Sequence, residues 1–243
     1  LALGAYPLAT SAAPMGPAKE PIFIGAQTCG TCHDGADMGH QFSKWRLSAH
    51  AKAYAALALP ESREIVRLSG ITEEPYRDKM CLGCHATAAE AEDLGKAEGF
   101  HLEDGLQCEA CHGAGSEYAP ADIMKDHMKA MMHGLKMPKK EDCLMCHRAK
   151  GSHDAVLKKK PFDLEMAWQA IAHPKPKTNS PALSPATPTR PLQDSPFKFT
   201  GVMACARCHA GPMWNFQFSA WRMSPHAQAY ASLSTPRAFK LAR

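Results

Sequence analysis

The chain has 243 residues, a formal charge of +4, 45% hydrophobic residues and only 7% aromatic ones. That composition suits one or two ordinary domains and excludes a fibrous or wholly disordered chain. No stretch approaches 18 consecutive apolar residues, so no membrane span is expected. Ten Cys, 13 His and 13 Met point to metal or cofactor ligation rather than to a conventional aliphatic core.

In chain order, Leu1 to Ala13 reads as the tail of a signal peptide's apolar region with small residues near a cleavage point, and 1–21 as a flexible N-terminal segment. The first Cys-x-x-Cys-His pentapeptide follows, Cys29-Gly-Thr-Cys32-His33. Behind it, residues 41–60 align without gaps to 217–236 with 13 identities in 20. Pro225 in the second copy stands where the first has Ala49, and proline is tolerated at the start of a helix but not inside it. Helices are therefore predicted from Ala49 and Pro225 to about Leu59 and Leu233, with Ser48 and Ser224 as N-caps and His50 and His226 in the first turn.

The second and third pentapeptides are Cys81-Leu-Gly-Cys84-His85 and Cys108-Glu-Ala-Cys111-His112. Pro120 to His133 reads as one amphipathic helix closed by Gly134, with His127 midway. After the fourth pentapeptide, Cys143-Leu-Met-Cys146-His147, a helix is predicted over Phe162–Ala172, stopped by His173-Pro174. Residues 174–196 hold seven prolines among Ser, Thr and Asn and read as an extended linker between a module of four pentapeptides, 22–173, and a C-terminal segment, 197–243. That segment carries the fifth, Cys205-Ala-Arg-Cys208-His209, and repeats 21–60 at an offset of 176. The fold class is mainly α with much irregular loop and little or no sheet.

Every cysteine belongs to one of the five pentapeptides. A random sequence of this composition would hold about 0.02 of them, so the pattern carries chemistry. Cys-x-x-Cys-His is the attachment signature of c-type haem: two thiols bond to the two vinyl groups of the porphyrin, and the adjacent His becomes the proximal iron ligand. Paired cysteines also build zinc sites, but five pairs do not suit sites that take two pairs each, and zinc does not explain a His after every pair. A disulfide framework predicts no His at all. The reading is five haems c, with Cys29, Cys32, Cys81, Cys84, Cys108, Cys111, Cys143, Cys146, Cys205 and Cys208 as attachment points. His33, His85, His112, His147 and His209 are the proximal ligands.

Five haems leave about 49 residues each, too few to wrap each cofactor separately, so the haems themselves must form the core and the haem-free chain should be largely unfolded. With ionised propionates counted, the net charge becomes roughly −1 oxidised and −6 reduced, and no nucleic-acid partner is implied. Covalent haem attachment takes place outside the cytoplasm, which places the protein in the periplasm or the extracellular space.

The N-terminal motif followed by Trp45-Arg-Leu-Ser-Ala-His50-Ala-Lys-Ala, the block Cys108-Glu-Ala-Cys111-His112-Gly-Ala-Gly, and the late helix ending in His173 resemble the tetrahaem cytochromes c that receive electrons from hydroxylamine oxidoreductase, and their broader relatives. The resemblance spans about residues 22 to 174 and implies haems packed in near-parallel and near-perpendicular pairs. It also implies distal ligands drawn from distant segments: His50 to the fourth haem, His127 of Asp126-His127 to the first, and His173 to the third. In that family the second haem is five-coordinate and open to small nitrogen oxides. Here His101, seven residues before Cys108, is available to close that site.

If His50 serves the fourth haem, its copy His226 should serve a fourth haem that the C-terminal segment lacks. Either the ligation is rewired within the chain, or the chain belongs to something longer, or the segment exchanges a ligand with another copy, which without ring closure gives a filament. Three functional classes remain: an electron carrier whose haems pass electrons between redox proteins, an enzyme acting on a small nitrogen or sulfur oxyanion at one open haem, and a ligand sensor or haem store. Thirteen His suffice for the ten ligands of five bis-His haems, which favours the carrier. Lys158-Lys159-Lys160 and Lys136 to Lys140 are candidate docking patches for an acidic redox partner.

Overall fold

The computed structural model describes residues 20–175 and 199–242. The leader-like stretch Leu1 to Ala13 and nearly all of the Pro-rich 174–196 segment lie outside these residues. Among the described residues the chain is mainly helical with irregular connections, and strand pairing is limited to one bridge between Phe23 and Lys96. The α-helices run only four to nine residues, too short to persist on local propensity. Their apolar packing is thin as well: Ala26, Phe42, Trp45 and Ala51 form one buried cluster, Leu57, Leu82 and Ala86 a second, and Ala206, Ala210 and Phe218 a third.

Four helices differ from their predicted extents. The one expected from Ala49 begins as a 3₁₀ turn, His50–Lys52, and continues only as Ala53–Ala56; its copy is Pro225–Gln228 followed by Ala229–Ser232. The hydroxyls of Ser48 and Ser224 cap neither turn. Each donates back to a carbonyl of the preceding helix, that of Trp45 or Trp221, which also accepts the same serine's backbone N–H. The stretch Pro120 to His133 divides into Ala121–Met124 and His127–Met132 because the Asp126 carboxylate accepts the Lys129 N–H at 3.1 Å and starts a new helix. The late helix is Leu164–Ile171, capped by Asp163 on the Met166 N–H.

The offset of 176 runs through the backbone. Ala26–His33, Gln41–Leu47, Ala53–Ala56 and the helix starting at Pro60 recur as Val202–His209, Gln217–Met223, Ala229–Ser232 and the helix starting at Pro236. Even the left-handed residue before the second helix recurs, His40 at φ 52° and Phe216 at φ 54°.

The two copies pack on each other reciprocally. Gln217–Met223 lies against Ala53–Ala56, and Ala229–Ser232 against Gln41–Leu47, the arrangement of an isologous dimer contained in one chain. Equivalent residues meet around the local axis: Arg46 and Arg222, Ala51 and Ala227, Lys52 and Gln228. Arg46 donates to the Ala227 carbonyl at 2.8 Å, and its guanidinium lies 5.9 Å from the Phe42 ring. Arg222 repeats the aromatic contact with Phe218 at 6.0 Å and adds Trp45 of the other copy at 5.8 Å. Its charge, however, goes to Asp104, and both side chains are buried.

One substitution between the copies leaves a defect. Ser43 is buried, and both its N–H and its hydroxyl donate to Asp34 Oδ1. The equivalent Ser219 is equally buried, but Ala210 stands where Asp34 would be, and the Ser219 hydroxyl has no partner among the described residues. Restoring the acid with Ala210→Asp is expected to raise stability by about 1 kcal/mol, the net worth of one recovered hydrogen bond. A thermal midpoint that stays put or falls would contradict this.

Candidate haem-binding site

Four of the five pentapeptides end helices: Ala26–His33, Lys79–His85, Glu109–His112 and Val202–His209. The fourth runs through the 3₁₀ segment Lys140–Met145. Positions i and i+3 of a helix share a face, so each pair of thiols points the same way with the His ring beside it. None of the ten cysteines is in a disulfide. No group of three or more His, Cys, Asp or Glu converges as a bare-metal site among the described residues.

The imidazoles of four of the pentapeptides share one orientation. His33 Nδ1 lies 2.6 Å from Gln41 Oε1, and His209 Nδ1 2.6 Å from Gln217 Oε1, a contact repeated between the two copies. His85 Nδ1 meets the Ala53 carbonyl at 2.8 Å, and His112 Nδ1 the Lys136 carbonyl at 2.9 Å. Those oxygens only accept, so each Nδ1 carries the proton and each Nε2 keeps its lone pair, the tautomer and anchoring that a ligating His requires. His147 is positioned differently, stacked on Phe162 with centroids 4.2 Å apart and planes at 10°. Burial is the main cause holding His50, His85, His112 and His147 below the ordinary pKa, which favours the neutral, ligating ring.

The motifs come together in pairs. The thiols of Cys29 and Cys108 are neighbours that shift each other's pKa, Cys29 downward and Cys108 upward, which joins the first motif to the third. Burial and then the neighbouring Cys84 push the Cys146 thiol up, which brings the second motif beside the fourth. Cys111 feels Cys143, so the third motif also lies near the fourth. The first pairing is fixed by two residues that the sequence reading does not single out. Gln107 Oε1 accepts the Ala26 N–H at 2.7 Å. The buried Glu109 carboxylate accepts the N–H groups of Ile24, Gly25 and Gly115 at 2.7 to 2.8 Å. Gly25 has φ 86° and no Cβ, which lets the chain pass this close to Gly99 and Gln107. Glu109 is one of the two unspecified residues inside a Cys-x-x-Cys, a place where only the ends of the motif draw notice.

Two of the proposed distal histidines face a proximal one. The rings of His50 and His147 are 5.9 Å apart at 57°, and those of His112 and His173 are 6.1 Å apart at 70°. A metal–imidazole bond is about 2 Å, so two imidazoles sharing an ion have centroids roughly 6 Å apart. Gly105, at φ 73°, sits where a Cβ would be 2.6 Å from the His50 carbonyl, so its bareness admits the turn that carries His50. His173 Nδ1 is tied to the Ile171 carbonyl at 2.7 Å, and Gln41 Nε2 donates to the His173 carbonyl at 2.9 Å. His127 is an exposed first residue of its helix, His101 is a half-buried residue preceding the turn Leu102–Asp104, and His226 is exposed on Pro225–Gln228. No aromatic ring is stacked on any of these three among the described residues.

A family model described as cytochrome c554 and c-prime matches residues 28–113 and 204–242, more than half of the chain. The chain belongs to that family. It is a multihaem c-type cytochrome, an iron-containing electron-transfer protein whose relatives are typically exported. The matched stretches hold the first three motifs in one block and most of the C-terminal copy in the other. No curated protein and no solved structure matches it. No helix among the described residues is long and apolar enough to cross a membrane.

Proposed function

We propose that this cytochrome is an electron relay carrying five haems c, one at each pentapeptide, with irons held by two histidines, and that it passes electrons between exported redox proteins. The observation that carries this reading is the pair of facing imidazoles, His50 with His147 and His112 with His173, at the separation that one bis-His iron needs. The thiol contacts between motifs favour haems close enough to exchange electrons along the chain. In this assignment His50 completes the fourth haem, His173 the third and His127 the first. The test is haem counting by mass together with low-temperature EPR and carbon monoxide binding. Five haems per chain, all low-spin and inert when reduced, are expected; a lower count or a high-spin haem that binds carbon monoxide would overturn the fully ligated relay.

Acid should undo the ligation. The depressed histidines contribute stability that is present above the unfolded value of 6.5 and lost as pH falls through their lower folded values. Iron competes with the proton for each ligating nitrogen, so the ferric protein is expected to remain low-spin at neutral pH and to convert to high-spin in steps only well below pH 6.5, followed at the Soret band. A low-spin fraction that rises on acidification would contradict this.

A second reading concerns His226. It occupies the place of His50 in the second copy, is exposed, and has no motif equivalent to the fourth within reach of its own segment. In this reading it ligates a haem of another copy and links chains head to tail. Sedimentation and EPR across a range of concentrations test it: assembly that is lost in His226→Ala is expected, and a monomer with unchanged spectra at all concentrations would rule it out.

A further inference from the structure

The family resemblance leaves the second haem open and the sequence offers His101 to close it, but another imidazole has the stronger claim. The helix Gly151–Leu157 lies on Pro60–Leu68, with Ser152 Oγ and Ser69 Oγ 2.9 Å apart. Its entry is fixed at the second motif, where Lys150 Nζ is 3.9 Å from Cys84 Sγ, one of the two sulfurs that hold the second haem. His153 comes three residues, about one helical turn, after Lys150. Its Nδ1 is buried and has no hydrogen-bond partner among the described residues. An unsatisfied buried nitrogen costs on the order of 1–3 kcal/mol unless something completes it. His85 is tied through Nδ1 to Ala53, on the opposite side of its ring from the nitrogen that would take iron.

His101 has a different setting. Its carbonyl accepts Gln107 Nε2 at 2.9 Å, and it leads into the turn that carries the buried Asp104. That makes it part of the frame beneath the C-terminal copy.

We infer that His153, binding through its unpartnered Nδ1 instead of Nε2, is the sixth ligand of the second haem in place of His101, closing the position that the resemblance leaves open. This rests on the second motif carrying a haem. The helix that supplies the ligand is anchored to that haem's own attachment cysteine, so attachment and ligation are coupled.

The test uses the matured full-length cytochrome. His153→Ala is expected to turn one of five irons high-spin, to make that haem bind carbon monoxide on reduction, and to regain the low-spin spectrum with added imidazole. His101→Ala should leave the spectra unchanged. The assignment is overturned if His153→Ala matches the native protein, if His101→Ala gives the high-spin signal instead, or if the native protein already has one carbon-monoxide-binding haem. Peptide mapping separates the two levels: a second motif without haem in the native protein defeats the underlying haem assignment, whereas a full complement with an indifferent His153 defeats only the ligand. Should His153→Ala fail to mature, His153→Met preserves six-coordination and should raise the potential of one haem. A redox titration identical to that of the native protein would then overturn the inference.

Discussion

Produced in a host that cannot attach haem, the chain is expected to lose more than half of its helical circular dichroism and to show no cooperative thermal transition. The reason lies in what the polypeptide buries. Its three apolar clusters contain three or four buried residues each, several of them alanines, and its longest α-helix has nine residues. Meanwhile Leu94 is 90% exposed and Met80, next to Cys81, is 73% exposed. Helices this short are marginal in water, and clusters this small do not offset the conformational entropy of ordering about 200 residues. The missing apolar surface is that of the porphyrins, so attachment and folding should be one event, as in other proteins whose ligand supplies the folding free energy. A haem-free chain with native helicity and a sharp transition would show that the polypeptide core suffices.

The second large effect is expected at Asp104. Its carboxylate accepts from Arg222 through one oxygen and from Gln27 Nε2, at 3.1 Å, through the other. Arg222 is 4% exposed and Asp104 1%. Burial pulls the Arg222 pKa down, and Asp104 opposes that shift only in part, so the pair does not fully repay the removal of two charges from water. Breaking it is another matter. Asp104→Ala leaves a guanidinium buried between Trp45 and Phe218 with no counter-charge, which should cost about 3–5 kcal/mol. The C-terminal copy should then come loose, with hydrogen exchange across Gln217–Ser232 accelerated roughly 100- to 1,000-fold. Replacing both residues, Asp104→Leu with Arg222→Met, should recover most of the loss, because no charge is then stranded. If the double variant were as unstable as the single one, the ion pair would be contributing net stability after all.

Much of the molecule can be read from residues close together in the chain. The pentapeptides announce the cofactor, and the duplication of 41–60 at 217–236 extends to helix bounds and to the left-handed backbone at His40 and Phe216. The mainly helical fold follows from the periodicity. Local competition is less visible: Asp126 and Asp163 cap helices that hydrophobic spacing alone would start earlier. Tertiary choices are not visible at all. Asp104 and Arg222 are 118 residues apart, and nothing near either one names the other. Glu109 looks like filler inside a motif, yet it gathers three backbone N–H groups from two other segments. His153 lacks any local signature of a ligand; what singles it out is a buried nitrogen without a partner among the described residues, on a helix that starts beside Cys84, which only folding provides.

The reciprocal packing of the copies has an evolutionary consequence. In a true homodimer every substitution appears on both sides of the axis at once, so a residue that helps one half and harms the other cannot be kept. Fusion into one chain removes that constraint. Here Arg46 answers a carbonyl while Arg222 answers a carboxylate, Asp34 has become Ala210, and His40 has become Phe216. Met38 beside the first motif corresponds to Trp214, whose ring lies 5.5 Å from that of His209. With a haem at each motif, as proposed above, two environments of one ancestry are free to differ in polarity and charge, and hence in potential. A symmetric pair would hold an electron equally well at either end, whereas these diverged halves can give it a preferred direction.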